Sequence, residues 1–465
     1  EIISISEFIN ELSGLKKIES TSVIFELYII YNEIIPKNEQ QNFDEFMGWA
    51  STLINDFNLI DSYLVDSNAL FSSLISANEI NEWAQSNNLE SKNKIGLKFW
   101  KNIPALYSSL KTHLIKNKIG TIGIQFREAV KHLELYMSEN DKFHYFIGFN
   151  MLNTAESIIF QEFISQKKGK VLWDLDKDFY DDNKHSAGNF IRSYYKSWKC
   201  LRGKKPEGLS SNFKKNKTFH VIQTTNKISQ SKYVGQIIND WKYKGDDFNK
   251  AVVLGDEKIL TPVLSGINLN SDKFNVTMGI PIFNSSISSL IDMLFEMHIN
   301  TIKEKYTYDD VLSILNDSII SNQLKKEKID LNNIIKDLRK TNYSLFPLDL
   351  LYIDQDSLQY YLFRQVKSSS DLLLKIESLI KYLEKVNHFK DTGLYILKEI
   401  NLIKGVISKL LNYLSKINKV PFNVLRIIYK ESIKENKLNF YGESGSSLQI
   451  MSLSETRLID FDSVV

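Results

Sequence analysis

The stretch 143–176, FHYFIGFNMLNTAESIIFQEFISQKKGKVLWDLD, decides how the rest of the chain is read. Phe143, Tyr145, Phe146 and Ile147 form a short β-prone apolar run that stops at Gly148. Asn153 or Thr154 can cap a helix that follows, and Ile158, Ile159, Phe160 and Phe163 share one of its faces. Gly169-Lys170 then leads into Val171, Leu172 and Trp173, with Asp174 and Asp176 at the C-terminal end of a second apolar run. The pattern predicts a buried strand, an amphipathic helix and a second buried strand, a unit whose crossover puts the strands parallel. In open α/β sheets the ligand site lies outside the C-terminal strand ends. Here those ends are Gly148-Phe149-Asn150 and Asp174-Leu175-Asp176.

Composition bounds the rest. At 465 residues the chain predicts two to four domains, and 43% hydrophobic with 25% charged residues is ordinary for globular proteins. A formal net charge of +2 gives no global electrostatic case for nucleic acid, so any basic surface must be local. Cys200 is the only cysteine, which excludes an intramolecular disulfide and a cysteine-based metal cluster, and it reads as a buried structural thiol. No run of about 18 uncharged apolar residues and no signal pattern occurs, so the expectation is a soluble, cytoplasmic protein without membrane contact. Glu1 at the start and an apparent strand at the end read as an internal fragment of a longer protein.

Along the chain, residues 1–17 predict a short strand and then a helix capped by Ser6 and ending near Gly14. Residues 21–115 are almost wholly helical in pattern, with Trp49 and Phe57 as core. A helix over Thr121–Tyr136 completes a first α/β domain. Residues 202–217, RGKKPEGLSSNFKKNK, carry six basic residues and one Glu, the mark of a linker or solvated loop. Strands over Phe219–Ile222, Ala251–Leu254 and Phe274–Met278 then alternate with helices over Ser229–Trp241 and Lys258–Ile267, which indicates a second parallel α/β domain. Helices return over Tyr308–Asn316, Ile329–Leu338, Leu372–Lys385 and Leu394–Tyr413, and residues 447–465 resume a strand–loop–strand pattern.

Several runs resemble the AddB-like proteins of the AddB/RecB family, within the UvrD-type superfamily 1 helicases. They are the segment from Phe43-Asp44-Glu45-Phe46 to Ile60-Asp61, then Trp173, Asp174, Asp176, Tyr180, His185, Ala187, Gly188, Phe190, Ile191 and Arg192. Asn275-Val276-Thr277-Met278-Gly279 with Ser289-Leu290-Ile291-Asp292, and Glu455-Thr456-Arg457 with Asp460-Phe461, complete the set. The resemblance implies an α/β fold of two P-loop-NTPase-like (RecA-like) parallel-sheet domains, each with a helical insertion. On that reading residues 1–20 and 116–201 form the first domain with its P-loop missing, and 21–115 its helical insertion. The linker is 202–217, residues 218–300 and 439–465 form a truncated second domain, and 301–438 are its insertion.

The sequence departs from that family where ATP chemistry would sit. Active members carry magnesium-holding carboxylates at the first strand end, whereas this chain has Gly148, Phe149 and Asn150, with no carboxylate between Asp141 and Glu156. Gly203-Lys204-Lys205 and Gly169-Lys170 lack the phosphate-loop spacing. The family's Lys-Gly pair is absent from the stretch around Glu455 and Thr456, and no Arg stands near Gly255-Asp256. Gly148, Phe149, Asn150, Asp174, Asp176, Glu455 and Thr456 therefore read as degenerate ATPase positions, and no catalytic residue is assigned.

Other chemistries have weaker support. Asp174, Asp176 and Asp178 could hold a metal through carboxylate oxygens, although strand-end Asp more often caps loops. Asp256-Glu257-Lys258 has the letters of a PD-(D/E)xK nuclease but reads as a helix start, not as paired strand ends. The seven histidines show no metal spacing, and His185 reads as a helix cap. Nucleic-acid contacts are expected at Tyr180, Arg192, Lys214, Lys215 and Arg457, with Lys217 adding to the phosphate term.

The expected function is a non-catalytic DNA-binding scaffold of an AddB-type nuclease in DNA end processing and recombinational repair in a bacterium. Its expected partners are DNA, single-stranded or at duplex ends, and a helicase/nuclease subunit. No cofactor is assigned to this chain, and Mg2+ belongs to the nuclease domain of the parent exonuclease. The alternatives are a protein–protein docking scaffold without DNA affinity and an active ATP-dependent helicase.

Overall fold

The computed structural model describes residues 1–85, 92–242, 249–266, 274–329, 335–336, 344–346, 357–386, 394–417, 420–434, 436–438 and 448–465. It is a mixed α/β structure with small parallel sheets. The chain divides into two compact units, Glu1–Val221 and Ile222–Val465. No helix among the described residues is long and apolar enough to cross a membrane.

The first unit opens with the helix Ile5–Ser13, not with a strand. Ser4 caps it and Ser6 lies inside it, because the Ser4 hydroxyl accepts from the Glu7 amide while Glu7 reaches back to the cap. Gly14, at φ +66°, ends the helix in the left-handed conformation that glycine adopts without strain. Two short strands follow, β1 (Lys16–Lys17) and β2 (Ile119–Gly120), which pair parallel. Between them run the helices Ser20–Ile34, Phe43–Ser62, Ser67–Gln85 and Lys92–Lys116. Phe57 is buried there, and Trp49 is half-buried, its indole donating to Gln41.

The decisive stretch forms β3 (His144–Ile147), a helix Thr154–Ser165 and β4 (Gly169–Leu172), with the strands parallel and Phe146 opposite Val171. Asn153 is the cap, completed by Glu156. Ile159, Phe160 and Phe163 are buried against the sheet, and Phe146 stacks on Phe160 at 4.1 Å. A Cβ on Gly169 would lie 2.9 Å from Phe163 Cβ, so glycine lets β4 start beneath the helix. The expected full burial fails on one side. Tyr145 and Ile147 are 61% and 62% exposed, and Phe143, Leu172 and Ile158 are also exposed. Side chains alternate across a strand, and the helix covers only the Phe146–Val171 face.

The second unit contains a four-stranded parallel sheet in the order β12-β5-β11-β6. Its strands are β5 (Lys250–Leu254), β6 (Phe274–Val276), β11 (Leu448–Ser452) and β12 (Ser463–Val464). β7 (Ile280–Pro281) pairs antiparallel with β10 (Lys437–Leu438), and β8 (Tyr306–Thr307) with β9 (Leu345–Phe346). The helices Lys227–Lys242 and Leu260–Gly266 pack on the sheet through Val234, Ile238, Leu260 and Val263. Between β6 and β11 come seven helices among the described residues, from Ser286–Ile299 to Phe422–Lys434. Most of the expected helix Ile329–Leu338 lies outside the described residues.

Residues 219–222 do not form the expected strand. They are irregular and exposed, because no neighbouring edge takes up their backbone groups among the described residues. The expected linker 202–217 falls inside the first unit and is tied to it through Asp176.

Candidate nucleic-acid interface

In the first unit, the ends of β3 and β4 carry the predicted positions. Gly148 turns the chain at φ +88°, Phe149 packs edge-on against Phe160 at 4.8 Å, and Asn150 is exposed. After β4, Trp173 is buried and stacks on Tyr194 at 5.6 Å, and Asp174 is exposed.

Asp176 caps the helix Lys177–Asp181 through the Asp178 amide at 3.0 Å. Its second oxygen accepts from the amides of Asn212 at 2.7 Å and Phe213 at 3.0 Å, and from the Ser210 hydroxyl at 3.2 Å. Four donors, the Asp178 amide first, hold its carboxyl below the usual carboxylate range. Those donors occupy both oxygens, so Asp176 anchors a loop, the capping role that strand-end Asp more often takes. Among the described residues no three His, Cys, Asp or Glu side chains converge to hold a metal.

Arg192 is also structural. It is buried, and its guanidinium donates to the carbonyls of Phe179 and His185 and to Asn189 Oδ1, each at 2.6 Å. Gly188 leaves room for it, since a Cβ there would collide with the guanidinium and with the Phe179 carbonyl. Its donors are committed to two backbone carbonyls and the Asn189 side chain, which removes Arg192 from the phosphate-contacting set. Tyr180 is half-buried, and its ring meets Tyr195 edge-on at 6.4 Å. His185 does cap, its Nδ1 accepting from the Ala187 amide at 3.3 Å. Lys214 pairs with Asp178 at 2.6 Å, Lys217 donates to the Asn212 and Phe213 carbonyls, and Lys215 is exposed. The fold thus gathers Tyr180, Asp176, Arg192 and Lys214 around one short helix, and leaves Asp174 and Asn150 in solvent.

The second unit has a crevice at its strand ends. β5 and β11 are neighbours, but the chain leaves β5 for β6 and leaves β11 for β12, on opposite sides of the pair. Each connection passes the neighbouring strand, so the two run in opposite directions at this pair, and ligands in open α/β sheets bind outside the C-terminal strand ends where the order reverses. A cavity of about 430 Å³ lies there, lined by Leu254, Gly255, Glu257, Ser452, Ser454 and Arg457.

The turn after β11 is built by a capping box. The Ser452 amide donates to Glu455 Oε2 at 3.0 Å, and the Thr277 hydroxyl donates to the same oxygen at 2.7 Å. Thr456 donates to the Leu453 carbonyl at 2.7 Å. Glu455 and Thr456 therefore shape the turn. Arg457 is exposed and has no ion pair or hydrogen bond among the described residues. Leu458 follows in the left-handed region at φ +64°, an unusual conformation for a branched side chain.

Asp256 caps the turn Glu257–Ile259 and pairs with Lys227, and Glu257 pairs with Lys437 at 3.2 Å. The triplet Asp256-Glu257-Lys258 therefore sits on a helical turn, the helix-start setting expected from the sequence, and not at the paired strand ends that a PD-(D/E)xK nuclease needs. Sequence reasoning missed Ser452, although the Ser452-x-x-Glu455 capping pattern directly after an apolar run was its signal. It named Asp178 only as a metal ligand, and the pairing of Asp178 with Lys214 gave no signal, because the two are 36 residues apart in the sequence. Compared with models of known protein families and with well-characterised proteins, the sequence matches none.

Proposed function

We propose that this chain is the non-catalytic, helicase-like region of an AddB-type protein, and that it holds DNA for end processing in recombinational repair. The single observation that carries the reading is the crevice above β5 and β11 with the unpaired Arg457 on its lip. A guanidinium free of protein partners at a sheet switch point suits a phosphate oxygen. Two further features support it. Helical insertions separate β1 from β2 and β6 from β11, the arrangement expected of two RecA-like domains. The end of β3 offers Gly148, Phe149 and Asn150, with none of the carboxylates that hold magnesium in active members of that family. On this reading the chain takes no cofactor of its own, works beside a nuclease domain that uses Mg2+, and meets a helicase/nuclease partner in the cytoplasm.

The test is titration of a labelled single-stranded and a blunt duplex oligonucleotide at two salt concentrations. Binding that weakens with salt is expected, and Arg457→Ala lowers the salt slope by about 0.7 to 0.9 for one lost phosphate contact. Absence of binding at low salt overturns the proposal. ATP hydrolysis that a substitution within the chain abolishes would overturn its non-catalytic half. A docking platform is the second reading, favoured by the exposed Tyr145, Ile147 and Leu172 on β3 and β4 and by Phe143 just before β3.

A further inference from the structure

We infer that Phe213–Val221 is a stacking strip for single-stranded nucleic acid, an inference that rests on the DNA-holding reading and names its substrate class. Every residue from 211 to 223 is exposed. Phe219 is 82% exposed and Val221 99%, and Phe219 makes no ring contact among the described residues. The run FKKNKTFH places Lys214, Lys215 and Lys217 between two phenylalanines. Residues 202–217 carry six Lys or Arg against Glu207 alone, and Glu207 is itself paired with Lys170.

The strip is fixed at one end and open at the other. The Asn212 and Phe213 amides are held by Asp176, and Phe213 packs on Phe179 at 4.5 Å. Lys217 lies 5.7 Å from the centre of the Phe213 ring. Lys214 is neutralised by Asp178, which leaves Lys215 as the cation with no described partner. No backbone hydrogen bond within the described chain involves residues 218–221.

An aromatic ring left in water beside cations has a natural partner in a base with its phosphate. Base faces are free to stack on such rings only in a single strand, and the cations supply the salt-sensitive part of the affinity. A duplex buries those faces, so the strip discriminates for unpaired strands. A protein strand pairing with the open backbone of 218–221 would have no use for the lysines.

The test uses the full chain with labelled oligothymidylate and a blunt duplex. Phe219→Ala is expected to weaken single-strand binding on the order of ten-fold, with the salt slope unchanged, and Phe219→Trp to retain it. Lys215→Gln is expected to reduce the slope by about 0.7. If the chain binds DNA and loses affinity with Arg457→Ala, yet Phe219→Ala and Lys215→Gln change nothing, the strip is overturned and the DNA-holding reading stands. If no oligonucleotide binds at low salt, both fall. If the chain instead forms a concentration-dependent dimer that Val221→Asp abolishes, with amides 218–221 protected from exchange, the segment is a protein-pairing strand and the nucleic-acid assignment is overturned.

Discussion

Two buried residues set testable limits on stability. Asp61 is 1% exposed and accepts from the Tyr107 hydroxyl at 2.6 Å, from Lys111 at 3.3 Å and from Arg127 Nε. Arg127 also donates to the Ile60 and Val65 carbonyls. Burial, and then Asp61, push the Tyr107 hydroxyl well above its ordinary pKa. Removing the shared acceptor strands two cations and a hydroxyl, so Asp61→Ala is expected to cost about 3–5 kcal/mol in urea unfolding. Tyr107→Phe removes one donor and costs about 1–2 kcal/mol. Equal losses would mean that Asp61 is no hub. In the second unit, Lys375 is wholly buried and bonds to His298 Nε2 and to the Arg364 carbonyl, both at 2.8 Å. Tyr306 closes the set against His298 Nδ1 and the Arg364 carbonyl, and the nearest charges, Arg364 and Asp371, pair with each other. Burial drives the Lys375 amine well below its ordinary pKa and pushes His298 down to about 2. Burial thus favours both uncharged forms in the fold, whereas the unfolded chain protonates His below about pH 6.5 and Lys below about 10.4. Stability should therefore rise as pH climbs toward 10, by up to about 1.4 kcal/mol per pH unit, and fall below pH 6.5. Lys375→Met flattens the alkaline rise. A wild-type profile flat between pH 7 and 9 would show that the amine stays charged.

At the scale of elements, the loop 202–217 shows how one side chain orders a segment. Its residues near 210–213 are tied to the body through Asp176, so Asp176→Asn, which turns an amide donor toward amide donors, should free them. Trypsin would then cut after Lys214 and Lys215 faster than in the parent protein, and unchanged cleavage would show that the carboxylate is not the anchor. Because the folded carboxyl titrates below its unfolded value, this tether is complete above about pH 4 and is lost only as pH falls through the lower folded value. The sequence disclosed the elements around this loop better than their environment. The strand–helix–strand unit was legible from Asn153, from the spacing of Ile159, Phe160 and Phe163, and from Gly169, because caps and periodicity are local. The state of Phe219–Ile222 was not, since its β-prone residues would read the same whether or not an edge receives them. Arg192 misled for a related reason, as a basic residue near a strand end looks the same in sequence whether it meets a phosphate or three carbonyl groups.

For the whole molecule, the cores argue for two folding units. The cluster built on Phe8, Phe146, Phe160 and Trp173 lies entirely within 1–221, and that on Val252, Val263 and Ile450 lies entirely within 222–465. Each unit has the length of an ordinary domain. Fragments 1–221 and 222–465 should therefore unfold cooperatively on their own, and calorimetry of the full chain should resolve two transitions that match them. The first fragment carries one liability. Tyr145, Ile147 and Leu172 expose apolar area on the uncovered face of β3 and β4, and a parallel sheet bare on one face is uncommon. That fragment should self-associate, and Ile147→Ser should reduce association while changing its stability by no more than about 0.5 kcal/mol, as for an exposed position. A loss of about 2 kcal/mol or more would mean that Ile147 is covered in solution, and with it the face that favours the docking reading would be taken.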